Sequence, residues 1–296
     1  MTTVADVRRK KSTTVRFFVP PPPVRAAFTV LDRLAPAVAA RWAERIWFTL
    51  PRPAPPRPVP VPAGRFWSLD VAGHRIAGQE WGTGPAVYLI HGWGGQAAQL
   101  AAFVTPLVDR GYRVVALDAP SHGRSAAGGY GPRSSSVPEF AGALTAAVAA
   151  HGPAHAIIAH SLGGTATAVA LCDGLPAARV AMLAPMAGPE SYARRLARLL
   201  GLGDSSYRRL IARVERRVGA PMRHFDVPEL GRAIAMPPTL VVHDRDDVYT
   251  PISDGAAIAA AWPSARLRAT SGLGHRRLLR DPDVVAEVVD FIASGD

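Results

Sequence analysis

The sequence predicts an α/β fold: a doubly wound, mostly parallel sheet with helices on both faces and one inserted helical segment. Three observations predict it. First, short apolar runs near 86–90, 114–118, 154–159, 180–184, 239–243 and 265–270 alternate with helical stretches near 96–110, 137–150, 162–172, 252–262 and 281–292. Strand–helix alternation at this period argues a parallel sheet. Second, the run Ala154–Ile158 leads straight into Ala159-His-Ser-Leu-Gly163, a serine among small residues at the passage from strand to helix. Third, about 54 residues separate the strand at 180–184 from the strand at 239–243, which breaks the rhythm.

In chain order, Met1–Phe18 is polar and basic, with Arg8-Arg-Lys-Lys11, and is expected to be disordered up to the prolines at 20–23. No secretory signal is read there, because no uninterrupted apolar run precedes a small-residue cleavage site. Residues 25–49 carry Phe28, Leu31, Leu34 (or Ala35), Val38, Trp42 and Ile46 at three- and four-residue steps, with Arg25, Arg33, Arg41, Glu44 and Arg45 on the other side. That spacing predicts an amphipathic helix, kinked or split at Pro36. Pro51–Pro62 reads as an extended connector. Phe66–Val71 and Arg75–Trp81 read as a hairpin opening the sheet, and the alternation follows. Within the long gap, 192–200 and 207–217 are amphipathic and helical. The organisation expected is therefore 1–62 as basic tail, helix and connector, and 63–296 as one domain with an insertion at about 185–236.

The serine segment has the form of a nucleophile elbow. The turn must be tight and strained for Oγ to stand clear of the sheet, which demands small residues two before and two after Ser161; here these are Ala159 and Gly163. A bare helix N-cap would use similar residues, so the reading depends on the remaining groups. A serine nucleophile needs a base, and the base needs an acid to orient it. After the strand 239–242 comes His243-Asp-Arg-Asp-Asp-Val-Tyr-Thr-Pro251, where Asp244, Asp246 and Asp247 compete; Asp247 is favoured and Asp246 second. After the strand 265–270 a glycine-rich loop leads to His275, 28 residues beyond Asp247, as the base. After the strand 86–90, His91-Gly-Trp-Gly-Gly95 can bring backbone to a substrate. The N–H groups of Trp93 and Leu162 are the expected oxyanion donors. In Asp118-Ala-Pro-Ser-His-Gly-Arg-Ser125, His122 and Ser125 are read as loop hydrogen-bonding residues beside the pocket.

Together, His91–Gly95, Asp118–Ser125, Ala159–Gly163, His243–Pro251 and Gly274-His275 resemble the α/β-hydrolase superfamily from roughly Arg65 to the C-terminus. The resemblance implies Ser161 as nucleophile, Asp247 as acid and His275 as base, and makes the insertion a lid over the site. Dehalogenases and epoxide hydrolases of the superfamily place an aspartate where this chain has Ser161, which argues against both activities. The expected function is cleavage of an ester, thioester or related acyl bond through an acyl-enzyme. The alternatives are a membrane-surface lipase or lysophospholipase, and a non-catalytic binding protein on the same fold.

Composition narrows the partners. The net charge of +11 is uneven: residues 1–57 carry +8 and residues 190–232 carry +5, so the remainder is nearly neutral. No nucleic-acid motif accompanies this charge, and no nucleic-acid partner is expected. Neither metal nor organic cofactor is implied, and the expected partner is a small-molecule ester. The single cysteine, Cys172, permits no internal disulfide and reads as a small hydrophobe, which suits a cytoplasmic location. Peripheral membrane contact by the basic helix is considered, but packing of residues 25–49 across the core is preferred.

Overall fold

The computed structural model describes residues 20–52 and 59–294. The basic tail and half of the proline-rich connector, residues 53–58, lie outside them. The chain enters through two helices, α1 (Pro22–Leu34) and α2 (Pro36–Phe48), each starting on a proline. Proline fits the first helical turn because its missing N–H has no partner there anyway. The stop at Ala35 is the break expected at Pro36. β1 (Arg65–Val71) and β2 (His74–Trp81) form an antiparallel hairpin. Then follow β3 (Ala86–Ile90), a 3-10 helix (Ala97–Phe103) running into α3 (Val104–Asp109), β4 (Arg113–Asp118), α4 (Val137–His151), β5 (Ala154–His160), α5 (Leu162–Cys172) and β6 (Ala177–Leu183).

The insertion contributes α6 (Pro189–Leu200), α7 (Asp204–Val218), a short 3-10 helix (Met222–Phe225) and α8 (Val227–Ala233). The chain closes with β7 (Thr239–Asp244), α9 (Ile252–Ala261), β8 (Ala265–Thr270), α10 (Gly274–Arg277) and α11 (Pro282–Ala293).

The eight strands form one sheet in the order β1-β2-β4-β3-β5-β6-β7-β8, antiparallel through β2–β4 and parallel from β4 to β8. Successive side chains on a strand point to opposite faces, and both faces are buried. Val87, Leu89, Ala156 and Ile158 pack with α3 and α11 on one side. Tyr88, Ile90, Ile157 and Ala159 pack with α4 and α5 on the other. The helices after β3 and β5, neighbouring strands, thus leave to opposite faces. A crevice opens at such a switch point beyond the carboxyl ends of the strands, and the loops after β3 and β5 border it.

The N-terminal helices do not pack across the sheet. Their inner face is Phe28, Ala39, Ala40, Ala43 and Phe48, and it meets Ala193, Leu196 and Leu200 of α6 and Leu210 and Val214 of α7. The amphipathic helices of the insertion need a cover for their apolar stripes, and the α1–α2 pair supplies it. Sequence periodicity also chose part of the wrong face. Leu34 and Val38 stand out in solvent, while the alanines are buried. The break at Ala35 resets the helical phase, so one stripe cannot run through both helices. Glu44, expected on the outer side, is buried and paired with Arg213 Nε at 2.5 Å. No described helix is long and apolar enough to cross a membrane.

Candidate active site

β5 ends in His160, and Ser161 turns the chain into α5. Its backbone is strained, with φ 53° and ψ −122°, a region a non-glycine residue occupies only where the surroundings enforce it. The enforcement is visible. Ser161 N–H donates to Leu183 O (2.9 Å), extending the β5–β6 pairing, and Gly164 N–H donates back to Ser161 O (2.9 Å). A Cβ on Gly163 would lie 2.7 Å from His91 O, and one on Gly92 would lie 2.7 Å from Ser161 Cβ. Glycine at both positions lets the loop after β3 close onto the elbow. Ser161 retains 9% exposure, at the edge of the crevice.

That loop is held by two neutral imidazoles. His91 Nδ1–H donates to Gly92 O (2.7 Å), and its Nε2 accepts from Ala119 N–H (3.1 Å). His122 Nδ1–H donates to Pro120 O (2.8 Å), and its Nε2 accepts from Gly94 N–H (3.0 Å). Burial disfavours the charged forms, pushing His91 down to about 4 and His122 to about 3. Each ring therefore keeps a lone pair for the backbone it organises. Asp118 completes the frame, accepting from Ala97 N–H (2.7 Å) and Arg124 N–H (2.9 Å). Ser125 Oγ accepts from Ala77 N–H and donates to Asp118 O. His122 and Ser125 are thus loop-binding residues. Trp93 sits half-buried with its ring edge-on to His122. Leu162 is the first residue of α5, where an N–H has no partner within the helix.

The three competing aspartates have separate positions. Asp244 Oδ2 accepts from Thr270 Oγ1 (2.7 Å) and Leu273 N–H (3.0 Å). Asp246 Oδ2 accepts from Gly272 N–H (2.8 Å). Both therefore clasp the loop that carries the histidine. Asp247 is buried, and its Oδ2 accepts from His275 Nδ1–H at 2.7 Å. Its Oδ1 accepts from Tyr249 N–H (2.7 Å) and Thr250 N–H (3.0 Å). Burial raises the Asp247 carboxyl, but the nearby His243 ring and the hydrogen bonds from His275 and the backbone more than offset it, so it stays ionised well below the usual carboxylate range.

Two participants were not singled out in the sequence. Thr250 Oγ1 donates to Asp247 Oδ2 (2.9 Å) and lies 3.1 Å from His275 Nδ1. His243 is fully buried, with Nε2 donating to Thr250 O (3.1 Å) and 3.6 Å from Asp247 Oδ2. The position of both in the segment that carries Asp247 was the one available signal. His160, inside the elbow motif itself, donates from Nε2 to His275 O (3.1 Å), and the two rings lie 4.6 Å apart. His160, the residue preceding Ser161, is thus tied to the loop of His275. Among the described residues no hydrogen bond links Ser161 Oγ to the imidazole; such bonds are often long before substrate arrives.

The chain matches the profile of the Alpha/beta hydrolase family over residues 87–288. It is 27% identical over 269 residues to a non-heme haloperoxidase of Rhodococcus erythropolis, covering 75% of this chain and 97% of that one. Among solved structures it resembles a predicted CIB-like hydrolase from Thermoplasma acidophilum (TM-score 0.58, 22% identity, 78% of this chain and 99% of that one). It also resembles an esterase from Rhodococcus sp. ECU1013 (TM-score 0.56, 23% identity, 78% and 98%).

Proposed function

Since the chain belongs to the alpha/beta hydrolase family and is a hydrolase by fold, we propose that it cleaves carboxylic esters or related acyl bonds through Ser161, His275 and Asp247. The observation that carries this is the 2.7 Å bond from His275 Nδ1–H to a buried, ionised Asp247, next to a serine on a strained elbow. With Nδ1 protonated toward the carboxylate, Nε2 keeps the lone pair of a base. Ser161 Oγ attacks the acyl carbonyl while Nε2 takes its proton. The negative charge on the carbonyl oxygen is met by the N–H groups of Leu162 and Trp93, each worth on the order of 3 kcal/mol of transition-state stabilisation. The imidazolium returns its proton to the departing alkoxide. Water, deprotonated by Nε2, then releases the acid and Ser161. No metal or organic cofactor enters this scheme.

The insertion serves as the lid. Its root is tied to the acid side of the site: Tyr192 on α6 donates to Asp254 Oδ2 (2.7 Å), as does Ala187 N–H (3.1 Å), and Asp254 lies on α9 just after the acid loop. A fluorophosphonate probe and a chain-length series of chromogenic esters test the proposal. Wild-type protein should be labelled and turn over at least one ester, and Ser161→Ala should do neither. An unlabelled wild type, or a Ser161→Ala variant with substantial turnover, would remove the mechanism. The haloperoxidase relative favours a second reading, in which hydrogen peroxide replaces water at deacylation and yields a peroxy acid. Halide oxidation dependent on both peroxide and an acyl donor, and absent from Ser161→Ala, would support it.

A further inference from the structure

We propose that the outer face of the α1–α2 pair docks the protein on an anionic lipid bilayer. The two helices carry two separate apolar faces. The inner one is spent on α6 and α7. The outer one remains in solvent: Ala26, Val30 and Leu34 follow at four-residue steps along α1, and Val38 is exposed on α2. Val30 is 54% exposed, Leu34 80% and Val38 52%, and among the described residues nothing covers them. Isolated surface hydrophobics are ordinary, but Val30 and Leu34 lie one turn apart on the same face as Ala26 and form a stripe along α1.

Charge chooses the occupant. The pair contains two acids, and both turn inward. Asp32 accepts from Gly203 N–H at the start of α7 (2.9 Å), and Glu44 is paired with Arg213 and Arg217. Arg25, Arg33, Arg41 and Arg45 all stay exposed. Arg33 lies three residues from Val30, and Arg41 and Arg45 share a helix face with Val38. Beside them, Arg25 of α1 and Arg195 and Arg198 of α6 line a cavity of about 420 Å³. An apolar stripe flanked by arginines, with no outward acid, has the composition of a helix that lies in a bilayer interface and is drawn there by anionic headgroups.

The placement connects to the site. Past α2 the chain is pinned to the loop before α4, Leu50 N–H donating to Arg133 O (2.8 Å). It then runs over the loop after β3, where Pro51 leaves room only for a glycine at Gly94. The docking face is therefore coupled through three residues to the loop of Trp93.

Co-sedimentation of the full chain with vesicles tests the proposal, comparing pure phosphatidylcholine with phosphatidylcholine–phosphatidylglycerol mixtures over a salt series. Binding is expected on the anionic vesicles alone, weakening as salt rises. The double variant Val30→Asp, Leu34→Asp should bind about tenfold more weakly or worse. Arg33→Glu, Arg41→Glu should flatten the salt dependence. All these side chains are exposed, and unchanged far-UV dichroism and melting temperature would verify folding. Absence of binding at low salt overturns the proposal. So does equal binding by the Val30→Asp, Leu34→Asp variant, which would assign attachment to the basic tail alone. A concentration-dependent dimer in sedimentation velocity that Leu34→Asp abolishes would assign the face to a second copy instead.

Discussion

Ser161 combines two costs that point to one purpose. It occupies a positive-φ conformation that glycine would adopt freely, and it is packed so closely on the loop after β3 that a Cβ on Gly92 would lie 2.7 Å from its own Cβ. Strain of this kind is worth roughly 1–3 kcal/mol. Ser161→Gly should therefore raise thermal stability while abolishing ester turnover, whereas Ser161→Ala should abolish turnover without raising stability. Calorimetry beside an ester assay checks both, and a destabilised glycine variant would show that the elbow is not strained. The aspartates give a second residue-scale test. Asp247→Asn removes the carboxylate that orients the imidazole, and kcat should fall roughly 10³–10⁴-fold. Asp246→Asn keeps an oxygen to accept from Gly272 N–H and should cost little. The reverse ranking would transfer the acid role to Asp246.

At the scale of elements, close approach rather than side-chain volume governs several joints. Gly231 on α8 faces Trp262 just past α9, and a Cβ there would lie 1.8 Å from the indole, whose Nε1–H donates to Val227 O (2.9 Å). Gly231→Ala must displace a fully buried ring and strain that bond. A loss of about 3 kcal/mol is expected, read as a lower urea midpoint with unchanged turnover per folded molecule. A neutral outcome would mean that α8 shifts freely on α9. The α1–α2 pair follows the same logic with alanines: Ala39, Ala40 and Ala43 let α2 come close to α7. Removing residues 1–52 would bare the apolar stripes of α6 and α7. Melting temperature should drop and binding of an apolar dye should rise. An unchanged melting curve would show that the insertion is stable uncovered.

For the whole molecule, buried neutral histidines set the acid side of the stability curve. His91 is held at about 4 and His122 at about 3, and His160 is also pushed far below the ordinary range, each chiefly by burial. In the unfolded chain they take protons at about 6.5. Below that pH the unfolded state binds more protons than the folded one, so stability falls as pH drops from about 6.5 toward 4. Asp247, held low, adds a loss in the same direction once pH falls below its unfolded value of about 4. Asp118 and Asp254, raised by burial, act in the opposite sense. His122→Asn isolates the histidine contribution and should flatten the dependence of the urea midpoint on pH between about 6.5 and 4. An identical slope would mean that His122 carries none of it.

Local pattern alone was enough for the parallel strands, the flanking helices and the order of the serine, aspartate and histidine loops. Each rests on the periodicity of burial or on a turn that demands small residues, and both are properties of neighbouring positions in the chain. Local pattern also separated the two N-terminal helices at Pro36, because proline acts on its own backbone. It did not reveal which face of those helices is buried, since that depends on α6 and α7, far along the chain, and Leu34 and Val38 were placed inside where Ala39, Ala40 and Ala43 belong. Glu44 read as a surface charge until Arg213 came opposite it. Sequence ranked Asp247 ahead of Asp246 without separating their roles, and the approach of the β8 loop to the β7 loop distinguishes the one that meets His275 from the two that hold its loop. Thr250 and His160 joined the site for the same reason: a hydrogen bond between loops of different strands is set by their positions across the sheet, and one chain segment carries no record of its partner.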